Sequence, residues 1–296
     1  MATRESAFAI AAGAIFCVLA QATLAGEVCH NAKLHIPKPA SGSMGGQEFA
    51  RHVADLEGSA RDAEVRSELL AGNLPEHLRH LAPVTVQGRA EDGAPVAVTF
   101  CVMPDYLAVG SDSDSLLVPM GLPTALEVAT DFGSVLPTPR LVDAIYQAAD
   151  LKLTPEPLPA NDEMRSTEYL VRHDALIAKQ RALLDAPEDA LTAGHKKDLV
   201  LSDRLLNMPG RVAIYGWHWD AHHPIQPLST VHGAQYADYS HGVRLVSPIV
   251  YVNGFARQFF DALRDPRLTQ LLGGDGVRVG RHLQGLVSVL QHRNPK

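Results

Sequence analysis

The sequence is short of the features that usually announce a function. Basic charge is in deficit: 26 Lys and Arg stand against 33 Asp and Glu, a formal net charge of −7 over 296 residues. No basic stripe is present, which argues against nucleic acid as a partner. Cysteine is scarce, with three in the chain (Cys17, Cys29, Cys101) and no C-x-x-C pair. There is no H-E-x-x-H, so no standard zinc signature, and no G-x-S-x-G elbow, which weighs against a serine hydrolase. Neither Cys29 nor Cys101 has a histidine beside it that would support a catalytic thiol, apart from His30 directly after Cys29 in a region read as lead-in. Internal repeats and low-complexity tracts are missing. No apolar run is long enough to span a bilayer comfortably: the best, Ala7 to Leu19, is about 13 residues.

That run has another reading. Arg4 precedes it and Ala20-Gln21-Ala22 follows it, the pattern of an export signal, so residues 1–25 are expected to be a signal peptide. The mature chain is then expected to be secreted or periplasmic, without stable membrane insertion. Cys29 and Cys101 would remain, either paired as a disulfide, which an oxidising compartment favours, or as two separate buried thiols.

With 46% hydrophobic and 20% charged residues, the remainder can bury a large core. Residues 26–46 read as an extended lead-in, and 47–296 as one α+β domain. Gln47 to Gly72 has helical spacing, with Gly58 as a break. PVTVQG and APVAVTFCVM alternate as strands around Gly93. YLAVGS and SLLVPM follow, joined by Ser111 to Asp114. Two helices are expected at Thr124–Phe132 and Arg140–Ala149, the second with Pro139 at its start. Ser166 to Leu184 carries polar cap candidates and an apolar stripe of Leu170, Leu176, Ile177 and Leu183. RVAIYGWHW and VRLVSPIVYVN form a second strand block around a histidine-rich loop, and Phe255–Leu263 reads as a helix. The expected fold is α+β: a mixed or antiparallel sheet from two strand blocks, with helices between and after them.

The chemistry concentrates in that second block. Five of the 14 histidines, His218, His222, His223, His232 and His241, crowd around VHGAQYADYSHG. Imidazole suits proton transfer near neutral pH and metal ligation. His232, Asp238 and His241 form H-x5-D-x2-H, which could place two imidazoles and a carboxylate on one divalent ion, zinc first, with water in the fourth position. The plainer alternative is a loop of surface histidines. Without metal, Asp238, Ser240 and His241 could act as acid–base groups, with His218 as the base that orients water and Arg244 holding an anionic part of the substrate or the developing charge. Ser240 as a nucleophile would need a distant base, His218 or His195; otherwise Ser240 and Asp238 simply bond their own turn. AGHKKDLV brings His195, Lys197 and Asp198 as a possible second wall for an anionic group, or else leaves Lys196 and Lys197 in solvent. Asp105 and Tyr106 could contribute from the first strand block. Trp217, Tyr236 and Tyr239 are candidate platforms for a sugar or wall fragment; of Trp217 and Trp219, which flank His218, one could stack on a sugar and the other be core, or both be structural. GSDSDS reads as a turn before it reads as a calcium loop.

SHGVRLV, Ser240 to Val246, resembles the SHGCxR core of the cell-wall L,D-transpeptidases, and His232-Gly233 is similar to the His-Gly that precedes that core. Val243 stands where the family's nucleophilic cysteine would fall, so the resemblance does not imply transfer through a thiol. More widely, VMPDYLAVGSDSD, AGHKKDLVL, GRVAIYGWH, PIQPLSTVHG and YADYSHGVRLV, over about Ser41 to Asn253, resemble an uncharacterised family of exported bacterial proteins. That likeness implies one domain and no stated reaction. The combined expectation is a secreted or periplasmic hydrolase acting on a cell-wall or other extracellular small molecule or polymer. The alternatives are a non-catalytic glycan or wall-fragment binding protein, and a metal-independent glycosidase or lyase with Asp238 as acid.

Overall fold

The computed structural model describes residues 26–90 and 93–273. The expected signal segment and the tail from Asp275 lie outside them. Helices α1 (Gly46–His52) and α2 (Gly58–Leu70) divide the first helical stretch, and Gly58 takes φ 53° at the break. Strands β1 (Ala82–Arg89) and β2 (Pro95–Val102) form the expected hairpin, paired from Ala82↔Val102 to Arg89↔Pro95. A second hairpin follows, β3 (Ala108–Ser111) with β4 (Asp114–Leu117). Then come α3 (Leu122–Asp131) and α4 (Pro139–Ala148), where the Thr138 hydroxyl accepts from Leu141 N behind Pro139.

Helix α5 (Thr167–Leu184) is capped by Ser166, whose hydroxyl accepts from Tyr169 N. It is bracketed by two short strands that pair in parallel, β5 (Leu151–Lys152) and β6 (Thr192–Ala193). The buried face of α5 differs from the expected stripe. It carries Tyr169, Leu170, His173 and Ile177, while Leu183 is 77% exposed.

The second half supplies β7 (Lys197–Leu199), β8 (Ile214–Asp220), β9 (His223–Ser229), β10 (His241–Gly242), β11 (Val246–Val252) and β12 (Phe255–Gln258), then α6 (Phe259–Arg264) and α7 (Pro266–Leu272). Two four-stranded sheets result. One has the order β1-β2-β11-β12 and is antiparallel; the other has the order β10-β7-β8-β9, with β10 parallel to β7. The α+β class holds; the second strand block is divided between the two four-stranded sheets, and the first contributes β1 and β2 to only one of them. Two sequence expectations need correcting. The histidine-rich stretch is not one loop, because β8 and β9 pair as a hairpin with His222 and His223 exposed at its turn. Pro224 and Pro227 mask the strand pattern, and they are tolerated because β9 is an edge. Phe255–Gln258 is strand rather than helix. Asn253 and Gly254, at φ 50° and 85°, make the tight turn that returns β12 onto β11.

The two sheets meet along one run of chain. Leaving β10, residues 243–245 bond back to the first strand block: Leu107 N donates to Val243 O (2.8 Å) and Met103 N to Leu245 O (3.0 Å). Gly242 lies beneath the Tyr106 ring so closely that a Cβ there would sit 2.5 Å from Tyr106 Cδ1. A glycine is required at this joint.

The main core runs from Cys29 and Phe49 through Val98, Phe100 and Phe132 to Leu245. Cys29 and Cys101 form a disulfide, both fully buried, tying the lead-in to β2 across 72 residues. In the chain-entropy picture a loop of that size contributes about 4 kcal/mol. A Cys29→Ser/Cys101→Ser double variant is expected to lose that much in urea unfolding, and an unchanged midpoint would show that the bond contributes nothing. Among the described residues no helix is long and apolar enough to cross a membrane.

Candidate functional site

The pairing of β10 with β7 puts AGHKKDLV against SHGVRLV, with His241 opposite Lys197 and Gly242 opposite Asp198. The lysines of that patch are not in solvent. Lys196 is wholly enclosed; its Nζ donates to Tyr239 O (2.6 Å) and lies 3.0 Å from His173 Nδ1. An ammonium can only donate, so Nδ1 accepts and His173 is neutral. Burial, and then Lys196, push the His173 imidazole far below its usual range. Burial also lowers Lys196 to about 8, against the pull of Asp174, Asp238 and Asp105.

On the first-block side, Asp105 Oδ1 accepts from Tyr106 N (2.7 Å) and faces His195 Nε2 (3.0 Å), while Oδ2 accepts from Arg181 Nη1 (3.0 Å). Burial alone would raise this carboxyl, but His195, Arg244 and Arg181 hold it well below the usual range. The Tyr106 hydroxyl donates to Asp198 Oδ2 (2.8 Å). Asp198 has the opposite balance. Burial pushes it up to about 6, and Arg244 and Tyr106 offset only part of that.

Arg244 sits at the centre of this network, fully buried. Its Nη1 donates to Met103 O (2.9 Å) and Nη2 to Thr192 O (2.6 Å). The guanidinium lies 4.3 Å from the Tyr106 ring centroid, with Asp105 and Asp198 oxygens 3.9 and 4.0 Å away. The expectation that Arg244 holds a substrate is therefore revised: it ties the two strand blocks together.

In the histidine segment, Asp238 Oδ1 accepts from Ser240 N (2.8 Å) and Ser240 Oγ (2.5 Å), and Oδ2 accepts from the Tyr236 hydroxyl (3.1 Å). This is a turn closed by its own side chains. It commits the buried Ser240 hydroxyl to Asp238 rather than to a histidine, which removes Ser240 as a nucleophile. The His232 ring stacks on Tyr236 at 4.0 Å, both half-buried, and the two centroids stand 6.2 and 5.7 Å from that of His241. His241 is enclosed, and neither ring nitrogen makes a hydrogen bond with a described residue; Nε2 lies 3.9 Å from Asp238 Oδ2. Burial, then Lys197 and His232, bring His241 down to about 4 despite Asp238. Asp238 stays below the usual carboxylate range in spite of its burial, through His241, Ser240 and Lys197.

Lys197 is half-buried, and its Nζ sits 5.1 Å from the centroid of the Trp217 ring. Trp217 itself takes φ 59°, a left-handed backbone that a bulky residue seldom adopts, and its Nε1 is buried without a partner. With Tyr239, Tyr169 and Leu170 it forms a small buried cluster. Trp217 and Tyr239 are thus interior, leaving Tyr236 half-exposed and Trp219 53% exposed. His218 turns to a different partner. Its Nε2 is 3.1 Å from Asp143 Oδ1, which also accepts from the Tyr215 hydroxyl (2.7 Å), and its ring stacks on Tyr146.

No protein-family model, no curated protein and no solved structure matches this chain. The likeness to the transpeptidase core rests on its motif alone. Val243 is fully buried and its carbonyl is used by Leu107.

His232, Asp238 and His241 do not assemble into an ion site. His232 is turned onto Tyr236, Asp238 is occupied by Ser240 and Tyr236, and among the described residues no group of three His, Cys, Asp or Glu side chains is arranged to hold a metal. In GSDSDS, Asp112 pairs with His77 and Asp114 accepts from Gln47 N, which are structural uses. Sequence reasoning missed His173, Arg181 and Asp143. For His173 a signal existed, since it lies three residues after Leu170 and four before Ile177 on the buried stripe of α5. Asp143 and Arg181 carried none, because their partners are remote in sequence.

Proposed function

We propose that the protein is an exported hydrolase that works by acid–base catalysis at His241, acting on a cell-wall or other extracellular polymer. The carrying observation is the enclosed His241 ring, with both nitrogens unpartnered beside Asp238. An imidazole kept neutral at pH 7 is competent to take a proton from water, and a neighbouring carboxylate stabilises the imidazolium that forms. Ser240 and Tyr236 fix that carboxylate in place. The buried disulfide fits an oxidising compartment.

The test is release of soluble fragments from purified bacterial sacculi and from extracellular polysaccharides by the chain from Gly26. His241→Gln is expected to lower the rate at least about 100-fold, with thermal unfolding little changed. A variant with full activity would sink the reading. Zinc co-purifying at one equivalent, and lost in His232→Ala, would replace the imidazole base by a metal-bound water. A second reading, a glycosidase or lyase, is favoured by Asp198, whose carboxyl rises to about 6 and whose Oδ1, 4.0 Å from Arg244 Nε, makes no hydrogen bond with a described residue. Loss of turnover in Asp198→Asn, but not in His241→Gln, would select it.

A further inference from the structure

We infer that Lys197, Trp217 and His241 form a subsite for a carboxylate group of the ligand. What that carboxylate belongs to rests on the hydrolase reading; the physical basis of the subsite does not. Three groups gathered around β7 are left without acceptors. The Lys197 ammonium, with three N–H donors, makes no hydrogen bond or salt bridge with a described residue and touches the Trp217 ring face. Among the described residues Trp217 Nε1–H is buried without a partner, and so is the one N–H that a neutral His241 ring carries, since neither of its nitrogens is bonded. Parallel pairing of His241 with Lys197 sends their side chains from the same face of the sheet. Buried donors are nearly always satisfied, so the open Trp217 and His241 groups, beside a half-buried ammonium, point to an acceptor supplied from outside.

The charge balance narrows the class. Asp238 is ionised, close to His241, and its oxygens already serve Ser240 and Tyr236. Lys197 already attracts Asp238, so a dianion such as a phosphate monoester would crowd two further charges beside that carboxylate, whereas a carboxylate adds one that the same ammonium shares. An ammonium is a point charge and imposes no bidentate geometry, as a guanidinium would. The backbone of Trp217 supports the same site. A left-handed conformation at a bulky residue is retained where surrounding packing enforces it, and here it brings the indole under Lys197. The carboxylate could be a peptide terminus or a uronate.

The experiment follows the His241 ring resonances by NMR, assigned with His241→Gln, at constant ionic strength. N-acetylglycine and glucuronate are titrated separately, with N-acetylglycinamide as the neutral control. A saturable shift is expected with at least one acid in the millimolar range and not with the amide; which acid responds identifies the source. Lys197→Met is expected to weaken binding tenfold or more. Trp217→Phe, which keeps a ring and removes the N–H donor, is expected to weaken it several-fold. No saturable shift with either acid, or equal response to the amide, would overturn the proposal on the parent protein alone, whatever the variants do. Unweakened binding in a folded Lys197→Met would do the same. Lys197-dependent acid binding without product from any polymer would instead defeat the hydrolase reading and leave the subsite standing. Turnover lost in His241→Gln, with no acid binding, would do the reverse.

Discussion

Replacing Arg244 with methionine is expected to destabilise the protein by about 3–5 kcal/mol, the usual consequence of removing one member of a buried charge cluster. For a chain of this size that is on the order of 10 °C in Tm. The side chain is fully buried and holds two backbone carbonyls, Met103 O in the first strand block and Thr192 O in β6. It also stands between two carboxyl groups that no longer reach water, Asp105 and Asp198. Methionine fills much of the volume and satisfies none of these. The loss should therefore exceed what packing alone would give. Thermal unfolding followed by circular dichroism checks it, with Arg244→Lys as companion: a lysine keeps the charge but cannot serve both carbonyls in the same geometry, so partial rescue is expected. A preserved Tm together with lost fragment release would return Arg244 to the role of holding substrate.

How much of this was legible from the chain depends on where each partner lies. The hairpin of β1 and β2 was readable because alternation and a glycine turn are local, whereas the cysteines stayed open between a pair and two separate thiols until the fold brought them together. The crowding of His232, Asp238 and His241 was readable as a polar centre, since the segment folds on itself: Asp238 closes its own turn and Tyr236 stacks on His232. AGHKKDLV was not. Lysine is seldom enclosed, and nothing within that patch shows that Lys196 would find Tyr239 O and His173, both far along the chain. The same holds for Arg244. Beside a serine and a histidine it reads as chemistry; its actual partners are carbonyls at positions 103 and 192, visible only once the two sheets are joined. The Trp217 backbone was equally hidden, because the alternation of GWHW suggests a regular strand and the left-handed residue breaks it.

Asp198 gives the second large effect, and its sign is opposite. Burial holds this carboxyl at about 6 in the folded protein, above the ordinary carboxylate value it has when unfolded. Between roughly pH 4 and 6 the folded state then binds more protons than the unfolded one, so this group's contribution falls as pH rises through that window and stays lost above it. Ionising it in place costs on the order of 3 kcal/mol at neutral pH. Asparagine cannot ionise, and its carbonyl oxygen can still accept from the Tyr106 hydroxyl, which bonds Asp198 Oδ2 at 2.8 Å. Asp198→Asn is therefore expected to be about as stable as the parent near pH 4 and more stable by about 2–3 kcal/mol at pH 7.5. Urea midpoints for both proteins across that range measure the difference directly, and effects from other carboxyls such as Asp105 cancel in the comparison. A variant less stable at pH 7.5 would mean that Arg244 needs the anion more than burial penalises it. A stabilised variant that also loses turnover would mark Asp198 as a group kept for chemistry at the expense of the fold, and would favour its role as the acid over His241 as the base.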